Sequence, residues 1–281
     1  MSEKKVNANC MIVVSDTHIG CGMGLCHPDG LETDEGGVVM PSKLQLKVYA
    51  AWREFFDVWV PDATDGEPYI LVTNGDAIDG SHHKTVTQMT QNIVFQRRHA
   101  QTILAEEVKK AKAYYHIRGT EAHVGASCGD EETLAKDLGA IPNDEKQYAR
   151  YELWKRIGGK RGGLVHIMHH IGTAGSTAYE SSALMRELSE AYVEAGCWKE
   201  EPPRVVVRSH RHRHLQIRRP SADGDAIVVT TPGWQLKTPL VYRIAGGRQT
   251  QPQIGGIMIR YHKGELYCRS KVWRIGRPKE E

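Results

Sequence analysis

Five times along this chain a short apolar run stops at side chains able to ligate a metal ion. "MIVVSD" (Met11–Asp16) is followed by Thr17 and His18, and "YILVTNGD" ends at Asp76, with Asp79 three residues further on. "YYHIRGT" leads to Glu121 and His123, "GLVHIM" to His169 and His170, and "RVVVRS" to His210, Arg211 and His212. Short β-branched runs bounded by Gly, Asn and Asp read as buried strands feeding loops. In open sheets, ligands collect beyond such strand ends. One Asp or His after a strand is ordinarily a cap or turn residue; five such ends in one chain point to a shared purpose.

Alternate residues of an extended segment face the same side, so Asp16 with His18, and His210 with His212, can each present two donors together. Mixed imidazole and carboxylate donors suit manganese, iron, zinc, cobalt or nickel better than calcium or magnesium, which prefer oxygen alone. A carboxylate such as Asp76 can bridge two ions, and the donor count suggests two divalent transition-metal ions.

Between these ends the pattern alternates. Gly20 to Ser42 is rich in Gly and polar residues and reads as a functional loop. A helix is expected after it to about Val58, and a long amphipathic helix from Thr85 to Tyr114, with a shorter one over Glu131 to Leu138. "YELWKRIGGKRGGLVHIM" reads as a hairpin, and its "GGKRGG" turn lacks the Lys-Ser/Thr ending of a phosphate-cradling loop. A helix from about Thr177 to Ala195 precedes a mostly β final third, with "YHKGELY" as a hairpin tip. Pattern alone supports a mixed α and β protein, and the absence of repeats or a linker favours one domain over residues 1–281.

Of the 281 residues, 40% are hydrophobic and 25% charged, a globular composition. The polar start, "MSEKKVNANC", and the lack of any run of about 20 apolar residues lead us to expect a cytoplasmic protein without a membrane span. The six cysteines show no paired spacing, and Cys21, Cys26 and His27 make an incomplete zinc set. The formal charge is only +3, yet Arg204 to Arg219 holds six arginines and no carboxylate. Such a run is either a solvated face or a footprint for a polyanion such as DNA or RNA.

The blocks "SDTHIG", "NGDAIDG", "GTEAH", "MHH" and "SHRH" resemble, in order and approximate spacing, the five signature blocks of the calcineurin-like metallophosphoesterases. The third block departs from the family, which reads Gly-Asn-His with an acid following; the variant looks like those of phage and prophage members. The resemblance implies a four-layer α/β (α+β) sandwich, two mixed sheets flanked by helices. It also implies that Asp16, His18 and His212 hold one ion, that Asp76 bridges, and that His169 and His210 hold the second together with Thr120 or Glu121. Asp79 would orient His123, displaced by two residues from the family's position, to protonate or stabilise a leaving oxygen. A hydroxide bridging the two ions would attack phosphorus in line. His82, His83 and Arg211 flank these ligands and are candidates for substrate contact, whereas His170 and His214 are expected to be bystanders.

Gly80 stands where the protein phosphatases of the family carry arginine, which argues against a protein phosphatase, and the basic final third favours phosphodiesters, including nucleic acids or nucleotides, as substrates. Thr120 motivates an alternative, a non-catalytic metal-containing nucleic-acid-binding protein with a degenerate second site.

Overall fold

A computed structural model of the chain describes residues 6–82, 85–125, 127–172, 177–243 and 250–274. The strands are β1 (Cys10–Val14), β2 (Leu31–Glu32), β3 (Val38–Val39), β4 (Tyr69–Asn74), β5 (Ala113–Ile117), β6 (Ala149–Arg150), β7 (Glu152–Ile157), β8 (Gly163–Met168), β9 (Val205–Arg208), β10 (Leu215–Ser221), β11 (Gly224–Thr230), β12 (Gln253–His262) and β13 (Glu265–Arg274). The helices that position the site are α1 (Lys43–Glu54), α2 (Val60–Thr64), α3 (Ile93–Lys110), α4 (Glu121–Val124), α5 (Gly129–Asp137) and α6 (Glu180–Trp198).

Two mixed sheets carry the fold. The first has the order β13-β12-β1-β4-β5-β6 and the second β10-β11-β9-β8-β7. Within the first, β1, β4, β5 and β6 run parallel; within the second, β8, β9 and β11 do. The continuous apolar runs are explained by burial on both faces, as parallel strands require. Cys10, Ile12 and Val14 of β1 point one way, into a core shared with Trp52, Phe55, Ile103 and Leu134 from the helices. Met11 and Val13 point the other way, against Val165, Ile167, Val205 and Val207 of the second sheet. On the far side, Leu184 and Leu188 of α6 cover Val206 and Val228. The result is helix, sheet, sheet, helix, the expected four layers.

Two helix expectations are corrected. The helix read from Thr85 to Tyr114 spans only Ile93–Lys110: the Asn92 side chain accepts from the Val94 N–H and caps its start, and Ala113 and Tyr114 already belong to β5. Val86, counted as part of its apolar stripe, is 93% exposed. The first long helix runs past Val58 through a π-helical stretch, Phe55–Trp59, into α2. That stretch buries Phe55, Phe56 and Trp59, and Pro61 falls just inside α2, where a missing N–H is tolerated. The tip of "YHKGELY" is a two-residue turn joining β12 to β13, with Lys263 at φ 48° and Gly264 at 91°. No helix among the described residues is long and apolar enough to cross a membrane.

Under the Gly20–Ser42 loop, His99 of α3 accepts a hydrogen bond from the His27 N–H at 3.1 Å. Burial, and then the nearby His27, push the His99 pKa down from 6.5 to about 4. The folded state therefore excludes a proton that the unfolded chain takes up below pH 6.5. The neutral ring's contribution is complete above that pH and is lost as pH falls toward 4, an effect of up to about 3 kcal/mol. Denaturant unfolding of wild type and His99→Gln across this window should show the wild type losing stability relative to the variant as pH falls. A constant difference would show that His99 does not titrate as described.

Candidate metal centre

All five predicted strand ends emerge on one edge of the two sheets. The loop after β1 lies along the loop after β4 as a continuation of their pairing: Asp16 N–H donates to Gly75 O, His18 N–H to Asp76 O and Ile19 N–H to Ala77 O, each at 3.0 Å. These bonds aim Asp16, His18, Asp76 and Asp79 into a shared space. From the second sheet, β8 delivers His169, and β9 delivers His210 and His212. Asp16, His18, Asp76, His210 and His212 all have positive φ, between 42° and 70°, in a region that residues other than glycine rarely occupy.

Four overlapping donor groups result among the described residues; two are built from the predicted ligands alone, and the other two include His123, one with His18 and Asp76 and one with Asp79 and His82. In the first, Asp16, His18 and His212 converge. His18 Nε2 and His212 Nε2 are 3.1 Å apart, and His212 Nε2 is 3.2 Å from Asp16 Oδ1. In the second, Asp76, His169 and His210 converge, with His169 Nε2 3.1 Å from Asp76 Oδ2. Asp76 also groups with His18 and His123, so its carboxylate faces both sets. Donor spacings near 3.1 Å are those of neighbouring ligands around an ion with bonds of about 2.0–2.1 Å. The buried Asp16 Oδ1 makes no hydrogen bond, as an oxygen reserved for an ion would. The described residues thus fit a dinuclear site in donor type and spacing, with buried carboxylates and with His210 exposed at its edge.

The outer nitrogens are fixed as metal-binding histidines require. His169 Nδ1–H donates to the Asn74 carbonyl at 2.7 Å, leaving Nε2 for the cluster. His18 Nδ1 faces Asp79 Oδ1 at 3.2 Å. Burial would lower the His169 pKa, but the adjacent Asp76 carboxylate raises it to about 10. Burial likewise opposes the charge on His18, and Asp79 holds its pKa above the ordinary value. The carboxyls of Asp16 and Asp76, also desolvated, are held below the usual range chiefly by His212 and His169 respectively.

The third strand end is divided. Thr120 Oγ1 sits 3.1 Å from Asp76 Oδ2, 3.1 Å from His210 Nδ1 and 3.4 Å from His169 Nε2, inside the second group. Glu121 is placed outside both groups, exposed at the start of α4. His123 lies beside His18, ring centres 4.5 Å apart, with Nε2 4.0 Å from Asp76 Oδ2. Its Nδ1–H donates to the main-chain carbonyl of Asp79 at 2.7 Å, while the Asp79 carboxylate is 3.9 Å away. That carboxylate instead meets His18, Gln88 and His82. Burial, with His18 adding to it, pushes the His123 pKa to about 4.

His82 stacks edge-on against His123 at 4.2 Å, and both line a cavity of about 480 Å³ with Ser81, Ile93, Glu121 and Asp130. His83 lies outside the described residues. Arg211 donates to the Gly172 carbonyl. His170 is exposed beside His169 and His210, and His214 is turned away toward the Thr230 carbonyl. Cys21 and Cys26 are buried thiols pushed up to about 12 by desolvation, and neither joins a donor group among the described residues.

Sequence reasoning missed the supports. Glu131, fully buried in α5, accepts from Ala77 N–H at 2.9 Å and from Gly119 N–H at 2.6 Å, tying the Asp76 loop to the Thr120 loop. In the sequence it is one more acid in a helix's first turn. Ser15, Thr231, Ser209 and Asn74 form a buried hydroxyl and amide chain at 2.6–2.7 Å, joining the two sheets under the ligands. Ser209 in the fifth block gave a signal: a polar residue where the resembled family has glycine. Gly75 and Gly119 are forced by crowding, since a Cβ would lie 2.3 Å from His169 Nδ1 and 2.1 Å from Asp76 Oδ1 respectively.

The chain matches no family model and no curated protein. Among solved structures, vacuolar protein sorting 29 from Cryptosporidium parvum is similar at a TM-score of 0.39 and 9% identity, over 96% of this chain and 100% of that one. A Thermotoga maritima protein solved by NMR in solution is similar at 0.34 and 10%, over 95% and 100%. Both likenesses are distant.

Because Asp76 faces both donor groups, Asp76→Asn should cost more than one ion's hold. Elemental analysis of protein loaded with manganese and desalted should fall from about two ions per chain to one or fewer. Retention of two by the variant would remove Asp76 from the bridging position.

Proposed function

We propose that this chain is a metal-dependent phosphoesterase acting on phosphodiesters, with two divalent transition-metal ions, manganese foremost among manganese, iron, zinc, nickel and cobalt. The observation that carries the reading is the Asp76 carboxylate, buried and shared between two imidazole-bearing donor groups. Asp16, His18 and His212 would hold one ion; His169 and His210, with Thr120 rather than Glu121 facing them, would hold the other. Ions bound there supply Lewis acidity toward the phosphoryl oxygens and an acidified water as nucleophile.

The chain's own residues do the remainder. His123 has its Nδ1–H committed to the Asp79 carbonyl, so Nε2 is the atom that faces Asp76 and the reacting space. With its pKa near 4 the ring is neutral and Nε2 is bare, so Nε2 must first take up a proton from solvent before it can hydrogen-bond the leaving oxygen or pass that proton to it, a role typically worth about 10²–10⁴ in rate. Asp79 supports it through the main chain and fixes His18 through its carboxylate, so one residue orients both rings. The cavity at His82 and His123 gives a leaving group room to depart.

A second reading, a non-catalytic metal-containing nucleic-acid binder, draws on Thr120, a weak oxygen donor at the second group. The arginine run gives it little support. Arg208 is paired with Glu187, Arg213 with Glu180 and Arg218 with Asp225, while Arg204 is bonded to the Asp225 carbonyl.

Initial rates on bis-p-nitrophenyl phosphate and p-nitrophenyl phosphate, measured on metal-stripped protein resupplied with manganese, test the proposal. Faster diester cleavage is expected, with His123→Ala about 10²-fold slower or worse at unchanged metal content. Turnover of neither ester by protein holding one ion or none would favour the binding role, and loss of metal in His123→Ala would make His123 a ligand instead.

A further inference from the structure

Tyr151 is the single residue between β6 and β7, at the point where the chain leaves the first sheet and enters the second. It is 68% exposed, unusual for a tyrosine flanked by two strands. Its neighbours on both sides lead into the loops that carry the donor groups. On the first sheet, Ile117 pairs with Arg150 and the Arg118 N–H donates to the Arg150 carbonyl at 2.8 Å, two residues before Thr120. On the second, Glu152 pairs with Met168, so Tyr151 and His169 leave that ladder side by side, about one strand spacing apart.

One face of the ring is already covered. The Arg118 guanidinium lies over it, 4.4 Å from the ring centre. That guanidinium is itself held, Nε donating to the Ala149 carbonyl at 2.6 Å, with Glu132 4.0 Å away. The ring is thereby backed by a cation that is itself held, it is largely exposed, and its residue continues, in register, the strand beside the one that delivers His169. A rigid aromatic plate of this kind stacks planar groups, and the bases of nucleotides are the planar groups that accompany phosphodiesters.

The wider charge distribution narrows the class. A long polyanion needs a track of free cations, and the arginines of the 204–219 run are largely engaged with the protein's own carboxylates and carbonyls. The cavity beside His123 is walled by Glu121 and Asp130, which disfavour further phosphates there. That balance favours a small substrate, one base stacked on Tyr151 and one phosphate at the donor groups, over a long polyanion.

We propose that Tyr151, backed by Arg118, is a base-stacking subsite, and that the substrate is a nucleotide-sized phosphodiester with a nucleobase next to the phosphate that is cleaved. The assignment rests on the phosphodiesterase reading and specifies its substrate. Kinetics with manganese on thymidine 5′-monophosphate p-nitrophenyl ester and on methyl p-nitrophenyl phosphate compare a diester carrying a base with one lacking it, at the same leaving group. Tyr151→Ala should raise KM for the thymidine ester about 10- to 100-fold, with kcat and the methyl ester little changed, and Tyr151→Trp should restore it. Equal losses on both esters, or no loss on either, would overturn the subsite. Anisotropy of a labelled short oligothymidine on the metal-free protein gives a readout free of turnover: weaker binding by Tyr151→Ala than by wild type is expected, and equal binding would overturn the proposal. If wild type hydrolysed neither ester, the phosphodiesterase reading would fall, and the anisotropy comparison would still decide the subsite.

Discussion

Three carboxylates, Asp16, Asp76 and Asp79, are buried at one edge of two packed sheets, and the surrounding structure is organised by the need to balance them. An isolated buried ion costs several kcal/mol, so each carboxylate must have partners. Histidines from both sheets supply them. Several ligands reach their places only in left-handed backbone, a strain of about 1–3 kcal/mol per residue that persists only when surrounding contacts over-determine it. Those contacts are the main-chain bonds between the β1 and β4 loops and the bond from Trp234 N–H to the Asp16 carbonyl at 2.9 Å.

Glu131 extends the same logic one layer outward. It is a buried carboxylate without a close cation: His116 Nε2 is 3.6 Å away, and the charge is held mainly by two main-chain N–H groups. Those groups belong to the loops carrying Asp76 and Thr120, so one side chain sets the distance between a shared ligand and the group facing it. The third strand end, the least like the resembled family in sequence, is in this way tied to the most like.

The strand ends were legible because burial on both faces leaves an unbroken apolar run, and its sudden end is visible without any contact information. The layering came from the resemblance, since the runs alone supported only a mixed α and β protein. Local chemistry was harder to read. Glu121 and Thr120 are adjacent in sequence, and only the main-chain turn into α4 decides which one points inward. The support of His123 by the Asp79 carbonyl instead of its carboxylate was invisible, since every residue has a carbonyl. The arginine run left a solvated face and a binding face both open because its partners, Glu180 and Glu187, lie on a separate helix. The start of α3 was misplaced because Val86 mimics the helix period while lying in a solvent-exposed stretch ahead of the helix.

The donor set is split between the two sheets: Asp16, His18, Asp76 and Thr120 come from the first, His169, His210 and His212 from the second. Each of the two groups built from the predicted ligands straddles the two sheets, so the spacing of donors within it is a gauge set by how the sheets seat on one another, through Val13, Val72, Ile167 and Val207 in the layer between them. Packed interiors yield little and transmit displacement. Enlarging or trimming a side chain in that layer alters the donor spacing that an ion would have to fit, so the metal preference of the proposed centre would be partly a property of aliphatic residues outside the donor groups.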